Sequence, residues 1–258
     1  MFRHSVLTAF IMIIIVVVFT TYGSQDEEAK ALLNNAKFKQ VNIVPTSESM
    51  YSLMSDVDVA EMGEMVMSSD EDILAYGFSD EEKTLHQRFF ALGNLYADLF
   101  LKLSGDYNKE QVIERIKALQ DGLDNLGAPN AIYIYLFNLQ NMVAEDEYPR
   151  AVTKRFLSML YPFIEEFAQS APPGTLVSLQ AGHWIVDFAI AAAGGEETLT
   201  RQSETALFFA DAYGELDAPK GVIKAFREIA AIVSKPKLND EDFEQLILLS
   251  ADIRGFLR

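Results

Sequence analysis

Cysteine is absent from the 258-residue chain. That excludes a disulfide framework, a thiolate metal site, a cysteine nucleophile and a lipid-modified cysteine anchor. Histidine occurs three times, so any imidazole chemistry rests on His4, His86 or His183. Cations are scarce too: 21 Lys and Arg stand against 38 Asp and Glu, a formal net charge of −17. Nucleic-acid backbones demand clustered Lys and Arg, so no nucleic acid is expected as a partner. Neither G-x-S-x-G nor H-E-x-x-H occurs, and the E-x-x-H spacing of di-iron bundles is missing. Gly194-Gly195 runs into Glu196 and Glu197, which would repel a phosphate. No cofactor is expected.

Long alternating strands are also lacking, and Val41-Asn42-Ile43-Val44 is too short to carry a sheet. What the chain has instead is helical periodicity. Leu85, Phe89, Leu92, Tyr96, Leu99 and Leu103 repeat at three to four residues, the mark of a core-facing stripe. Ser79-Asp80-Glu81-Glu82 reads as a capping box ahead of that helix. Asn108 with Gln111 caps the next, whose buried side is Val112, Ile113, Ile116, Leu119 and Leu123, and Gly127 stops it. Pro129 opens a helix over Ile132 to Met142. Pro149 stands at the first position of another, which reaches Gln169 and carries Pro162 inside it. Ala171-Pro172-Pro173-Gly174 is the clearest break. Thr175 to Ala193 is nearly all apolar, but Gln180, His183 and Asp187 make it the central helix of a folded core rather than a membrane span. Thr198 or Thr200 starts the next helix, Pro219 opens another, and Asn239-Asp240-Glu241-Asp242 places acids in the first turn of the last. Leu92-Gly93-x-x-Tyr96 matches a fragment of the tetratricopeptide pattern, but its later positions do not line up and no second copy follows.

The N-terminus differs from everything behind it. Val6 to Phe19 is apolar apart from Thr8, Arg3 precedes it, and no charged side chain lies between His4 and Gln25. About 20 uncharged residues form a helix of roughly 30 Å, one hydrocarbon thickness. A cleaved signal peptide is the rival reading, with Thr21-Tyr22-Gly23 a poor exit site. The expected fold is therefore all-α: an N-terminal transmembrane helix, then a multi-helix soluble bundle or a short solenoid of helix pairs. The expected division is 1–24 anchor, 25–78 acidic Met-rich stalk with partial helix, and 79–258 helical domain. Arg3 favours a cytoplasmic N-terminus with the bulk outside, in a periplasm.

Few residues qualify for chemistry. His183 and Asp187 are four apart on one helix face, so the carboxylate can orient the imidazole as a general base. These two are the candidate catalytic residues. Residues 40–82 hold eleven acids, no Lys or Arg, and five of the nine Met residues. Met62, Met65 and Met67 offer thioethers, and His86 with Glu82 a carboxylate–imidazole pair, as candidate metal ligands. Because no catalytic set is complete, the sequence favours a non-enzymatic, membrane-tethered binding or scaffold module. Its expected partner is another envelope or membrane protein. The rivals are an enzyme centred on His183 and Asp187, and a carrier of a metal ion or small apolar ligand.

Overall fold

The computed structural model describes residues 50, 54–66, 83–104, 108–145 and 148–257. They fall within a compact unit spanning Val44–Arg258. The described residues form α1 (Asp56–Val66), α2 (Leu85–Lys102), α3 (Lys109–Asn125), α4 (Asn130–Glu145), α5 (Arg150–Ser170) and α6 (Thr175–Ala193). A 3-10 turn, Glu197–Arg201, leads to α7 (Ser203–Glu215), α8 (Lys220–Val233) and α9 (Asp240–Leu257). No strand occurs among them, so the fold is an all-α, multi-helix bundle.

Local chemistry sets the boundaries. Thr84 and Gln87 close a reciprocal capping box: the Gln87 amide donates to Thr84 Oγ1 at 3.2 Å and the Thr84 amide donates to Gln87 Oε1 at 3.0 Å. This replaces the box expected at Ser79–Glu82, residues that lie outside those described. Asn108 Oδ1 accepts from the amides of Glu110 and Gln111, as its position implied. Pro149 sits one place earlier than expected, at the N-cap. The expected helix start at Thr198 or Thr200 is instead the 3-10 turn.

The bundle is organised around the crossing of α2 and α6, its most extensively packed pair. Gly93 and Gly182 let the two backbones touch. A Cβ on Gly93 would lie 2.1 Å from the Leu179 carbonyl oxygen, and one on Gly182 would lie 2.1 Å from that of Phe90. Any side chain at either position collides with backbone, which cannot rotate away. The contact is also reciprocal. Gly93 meets Leu179 and His183, while Gly182 meets Phe90 and Asn94. Each residue and its opposite number are 89 apart in sequence, the pattern of a two-fold-like contact.

That spacing extends through the chain. Leu126-Gly127-Ala128-Pro129 and Leu216-Asp217-Ala218-Pro219 are 90 residues apart and make the same turn. Gly127 has φ 75° and Asp217 has φ 51°, the one non-glycine residue at positive φ among those described. The Ala128 amide donates to Leu123 and the Ala218 amide to Tyr213, again 90 apart. Such a bond is how a left-handed residue satisfies the last turn of a helix. Burial repeats as well. Thr153, Leu157, Leu160, Ile164 and Ala168 are buried on α5, and Asp242, Leu246, Leu249, Ile253 and Leu257, each 89 further on, are buried on α9. The bundle is thus two four-helix repeats, α2–α5 and α6–α9.

Their cores have diverged. The first packs Leu95, Leu99, Leu119 and Leu136 where the second packs Trp184, Phe188, Phe209 and Phe226. Trp184 stacks on Phe188 at 4.6 Å between centroids and donates its indole N–H to Gln202 Oε1 at 3.1 Å. In front of both repeats, α1 packs against α6 and α2. Arg254 donates to the Val66 carbonyl at 2.8 Å, and Thr198 Oγ1 donates to the carbonyl of buried Met50 at 2.9 Å.

The membrane expectation requires correction. Among the described residues, the helix with the length and apolarity to cross a bilayer is Thr175–Ala193, in the middle of the chain, and 83% of its apolar window is buried in the bundle. Its apolar surface is used in the α2–α6 crossing and the aromatic core. Residues 1–24, on which the anchor rested, lie outside those described. The N-terminal transmembrane helix and signal anchor are not upheld, nor is the attachment through them. The periplasmic placement and the envelope or membrane partner depended on that anchor and are set aside with it.

The crossing yields a stability prediction. Gly93→Ala and Gly182→Ala each lower stability by about 3 kcal/mol, from overpacking that backbone cannot relieve. The double variant falls short of the sum because both act on one contact. Urea denaturation checks both statements.

Candidate functional site

The α2–α6 crossing places a polar seam beside the two glycines. Tyr96 lies one turn after Gly93 on α2, and Tyr161 comes from α5. The imidazole of His183 packs against both, at 5.3 and 4.7 Å between centroids and steeply inclined to each ring. The two tyrosine rings are 4.6 Å apart. His183 Nε2 lies 3.2 Å from Asp187 Oδ2, so the predicted pair is formed, with side-chain exposures of 14% and 3%. Gln180 Nε2 donates to Glu165 Oε1 at 3.0 Å, and Tyr96 donates to the Leu157 carbonyl at 3.0 Å.

Burial governs the charges here. It holds the His183 imidazole down to about 4, because removing water penalises the protonated ring. It pushes Tyr96 and Tyr161 well above the ordinary phenol value, with help from Glu165 and Asp187. Burial likewise raises Glu165, against the opposing hydrogen bond from Gln180. At neutral pH the seam therefore holds a neutral imidazole and two neutral phenols. A base with so low a pKa is a weak proton acceptor at that pH.

The first repeat shows what these positions do in its half. Asn94 stands where the second has His183, and Asp98 where it has Asp187. Asn94 Nδ2 donates to the Phe90 carbonyl at 3.1 Å, and Asp98 pairs with buried Arg115 at 2.7 Å. Gly-polar-x-x-x-Asp is thus a repeat feature beside the crossing, with its own buried partner in each half. Tyr161 and Glu165 were missed in the sequence because they reach the seam from a different helix, with no spacing to betray them.

Of the candidate metal ligands, Met62, Met65 and His86 lie among the described residues. Met62 and Met65 are on α1, with Met65 mostly exposed. Met67 and Glu82 lie outside the described residues. His86 lies beside Gly174, near Leu216, and burial lowers its pKa against a hydrogen bond with the Gly174 backbone. Among the described residues, no three His, Asp or Glu side chains gather as a metal centre would require.

A second feature had no sequence signal. The hairpin α4–α5 presents apolar side chains outward: Ile134 (63% exposed), Phe137 (58%), Met159 (53%), Val152 (45%) and Phe163 (38%). Tyr135 forms the floor between them, 5.4 Å from Phe156 and 5.0 Å from Phe163. The matching positions of α8–α9 are mostly charged or polar. Lys224 replaces Ile134, Arg227 replaces Phe137, Glu241 replaces Val152, Gln245 replaces Phe156 and Asp252 replaces Phe163; Met159 keeps an apolar counterpart, Leu248, and Tyr135 is matched by buried Ala225.

Stability should follow the charge state of the seam. A histidine with a lowered folded pKa binds its proton more readily in the unfolded chain. Stability is therefore full above about 6.5 and declines as pH falls toward about 4. His86 acts in the same sense, while Glu165, raised, acts in the opposite one. His183→Asn, which installs the residue of the first repeat, should flatten this slope by an amount on the order of 2–3 kcal/mol over that window. Urea midpoints from pH 7.5 to about 4.5 read it.

No family model, curated protein or solved structure matches the chain.

Proposed function

We propose that the protein is a helical interaction module that docks a partner protein through the outer face of α4–α5. One observation carries this reading. The two repeats share helix order, turn geometry and buried pattern, yet only the first keeps an apolar exterior at positions where the second is charged. The fold itself therefore does not require apolar residues there. An apolar exterior of this extent is a solubility liability unless something covers it. Among the described residues, five of the eleven exposed large apolar side chains lie on α4 and α5, and Tyr148 adds a sixth between them. Aromatic and aliphatic side chains grouped in this way are the composition of binding hot spots.

A photo-crosslinking amino acid at position 137, in cells that make the protein, should give a discrete protein adduct. The same group at position 227, the matching site of the second repeat, should give none. Phe163→Asp should abolish the adduct at 137 while leaving the circular dichroism melt within a few degrees of the parent. Equal adducts at 137 and 227, or an adduct indifferent to Phe163→Asp, would remove the basis for the proposal.

A further inference from the structure

Resting on the interaction-module reading, we infer that the occupant of the α4–α5 face is an amphipathic helix of a partner protein with Lys and Arg clustered at one end. That basic end lies toward the N-terminus of α4 and the C-terminus of α5.

The shape of the face selects a helix. Val152, Phe156, Met159 and Phe163 follow one another at four, three and four residues, so they form a continuous ridge along α5. Ile134 and Phe137 continue the apolar surface over α4. The two helices are joined by a short connection and packed side by side, which makes them antiparallel neighbours. Between them, Tyr135 packs against Phe156 and Phe163 and so floors a groove. Two helical ridges bordering an apolar groove accept a third helix whose own anchors recur at three, four and seven residues. Strand addition needs an open sheet edge, and the described residues contain no strand.

Charge selects the polarity. The N-terminus of α4 lies beside the end of α3, where Tyr133 donates to exposed Asp124 at 3.5 Å and exposed Asp121 lies one turn earlier. The antiparallel arrangement brings the end of α5 to the same side, with exposed Glu166, while Glu165 is turned to Gln180 in the seam. At the opposite end the sequence runs Glu145-Asp146-Glu147, and exposed Arg150 and Arg155 follow closely enough to offset most of that acid. Lys154 is turned inward, 5.0 Å above the Phe100 ring. The groove thus runs from an acidic end to a mixed end, within a chain of net charge −17. Exposed charge pairs add little affinity individually, but they speed encounter and fix orientation. Anchoring falls to the apolar residues and direction to the acids.

The test is fluorescence anisotropy on the purified full-length chain with labelled helical peptides about five turns long. All carry leucines at three-, four- and seven-residue spacing. One has a terminal lysine cluster, a second has glutamates there, and a third has the lysines plus a central proline. The inference expects the lysine peptide to bind at least about tenfold tighter than either of the others. Ile134→Lys with Phe137→Arg, residues the second repeat already carries at these sites, should weaken it about tenfold or more without changing the melt. Asp121→Lys with Asp124→Lys should weaken the lysine peptide and strengthen the glutamate one. Equal binding of the lysine and glutamate peptides, equal binding of the proline peptide, or no binding at all overturns the inference. So does a dimer of the chain that Phe137→Arg dissociates, which would assign the face to a second copy. If peptides fail while the position-specific adduct at 137 persists, the partner chemistry is wrong and the module reading stands. Loss of both removes both.

Discussion

Everything in this molecule depends on two glycines being glycines. At the crossing of α2 and α6, backbone meets backbone, with Gly93 against Leu179 and Gly182 against Phe90. No methyl fits at either place, so the closeness of the two central helices is set by an absence of side chains. Glycine inside a helix costs about 1 kcal/mol relative to alanine. That cost is offset by extended apolar packing along α2 and α6, nearly all of whose central residues are buried. The same closeness brings Tyr96 of α2 against His183 of α6. The seam's chemistry is therefore a consequence of the packing: a tight apolar crossing excludes water and leaves its histidine neutral.

The reciprocal nature of that contact exposes the design of the whole chain. Two four-helix repeats meet through equivalent residues, and each has then specialised. The second carries Trp184, Phe188, Phe209 and Phe226 in its core and lysine, arginine and acids on its last hairpin. The first carries leucines in its core and aromatic and aliphatic residues on the outside of α4–α5. One repeat acts as the internal control for the other. A feature shared by both, such as the polar residue and aspartate after each central glycine, belongs to the scaffold. A feature present in only one, such as the apolar exterior of α4–α5, calls for an explanation outside the fold.

Much of the helical layout was legible in the sequence, because it rests on local chemistry. Asn108 capped its helix as its position implied, and Thr175–Ala193 proved to be the core helix that Gln180, His183 and Asp187 suggested. The His183–Asp187 pair was readable because four residues is one helical turn. The repeat was not readable. Its two copies slip between spacings of 89 and 90, its core residues change from leucine to aromatic, and its exterior changes from apolar to charged, so little identity survives. Gly93 and Gly182 carry no periodic signal and become meaningful only when they face each other. The apolar exterior was hidden because Phe156 and Phe163 satisfy the same periodicity as a buried stripe; periodicity does not say which side of a hairpin is covered. The membrane reading rested on Val6 to Phe19, which lies outside the described residues; the helix of membrane-spanning length among those described, Thr175–Ala193, spends its apolar surface inside the bundle.

The central claim is that the outer face of α4–α5 is covered in the working protein while its counterpart on α8–α9 is not. Amide hydrogen exchange, read by mass spectrometry, tests it most directly when the chain recovered together with its associated proteins is compared with the chain alone. Docking a partner on a helix face raises the free energy of local opening there. The account predicts added protection across Asn130–Glu145 and Arg150–Ser170, and none across Lys220–Val233 and Asp240–Leu257. Equal protection of the two hairpins, or protection confined to α8–α9, would contradict it.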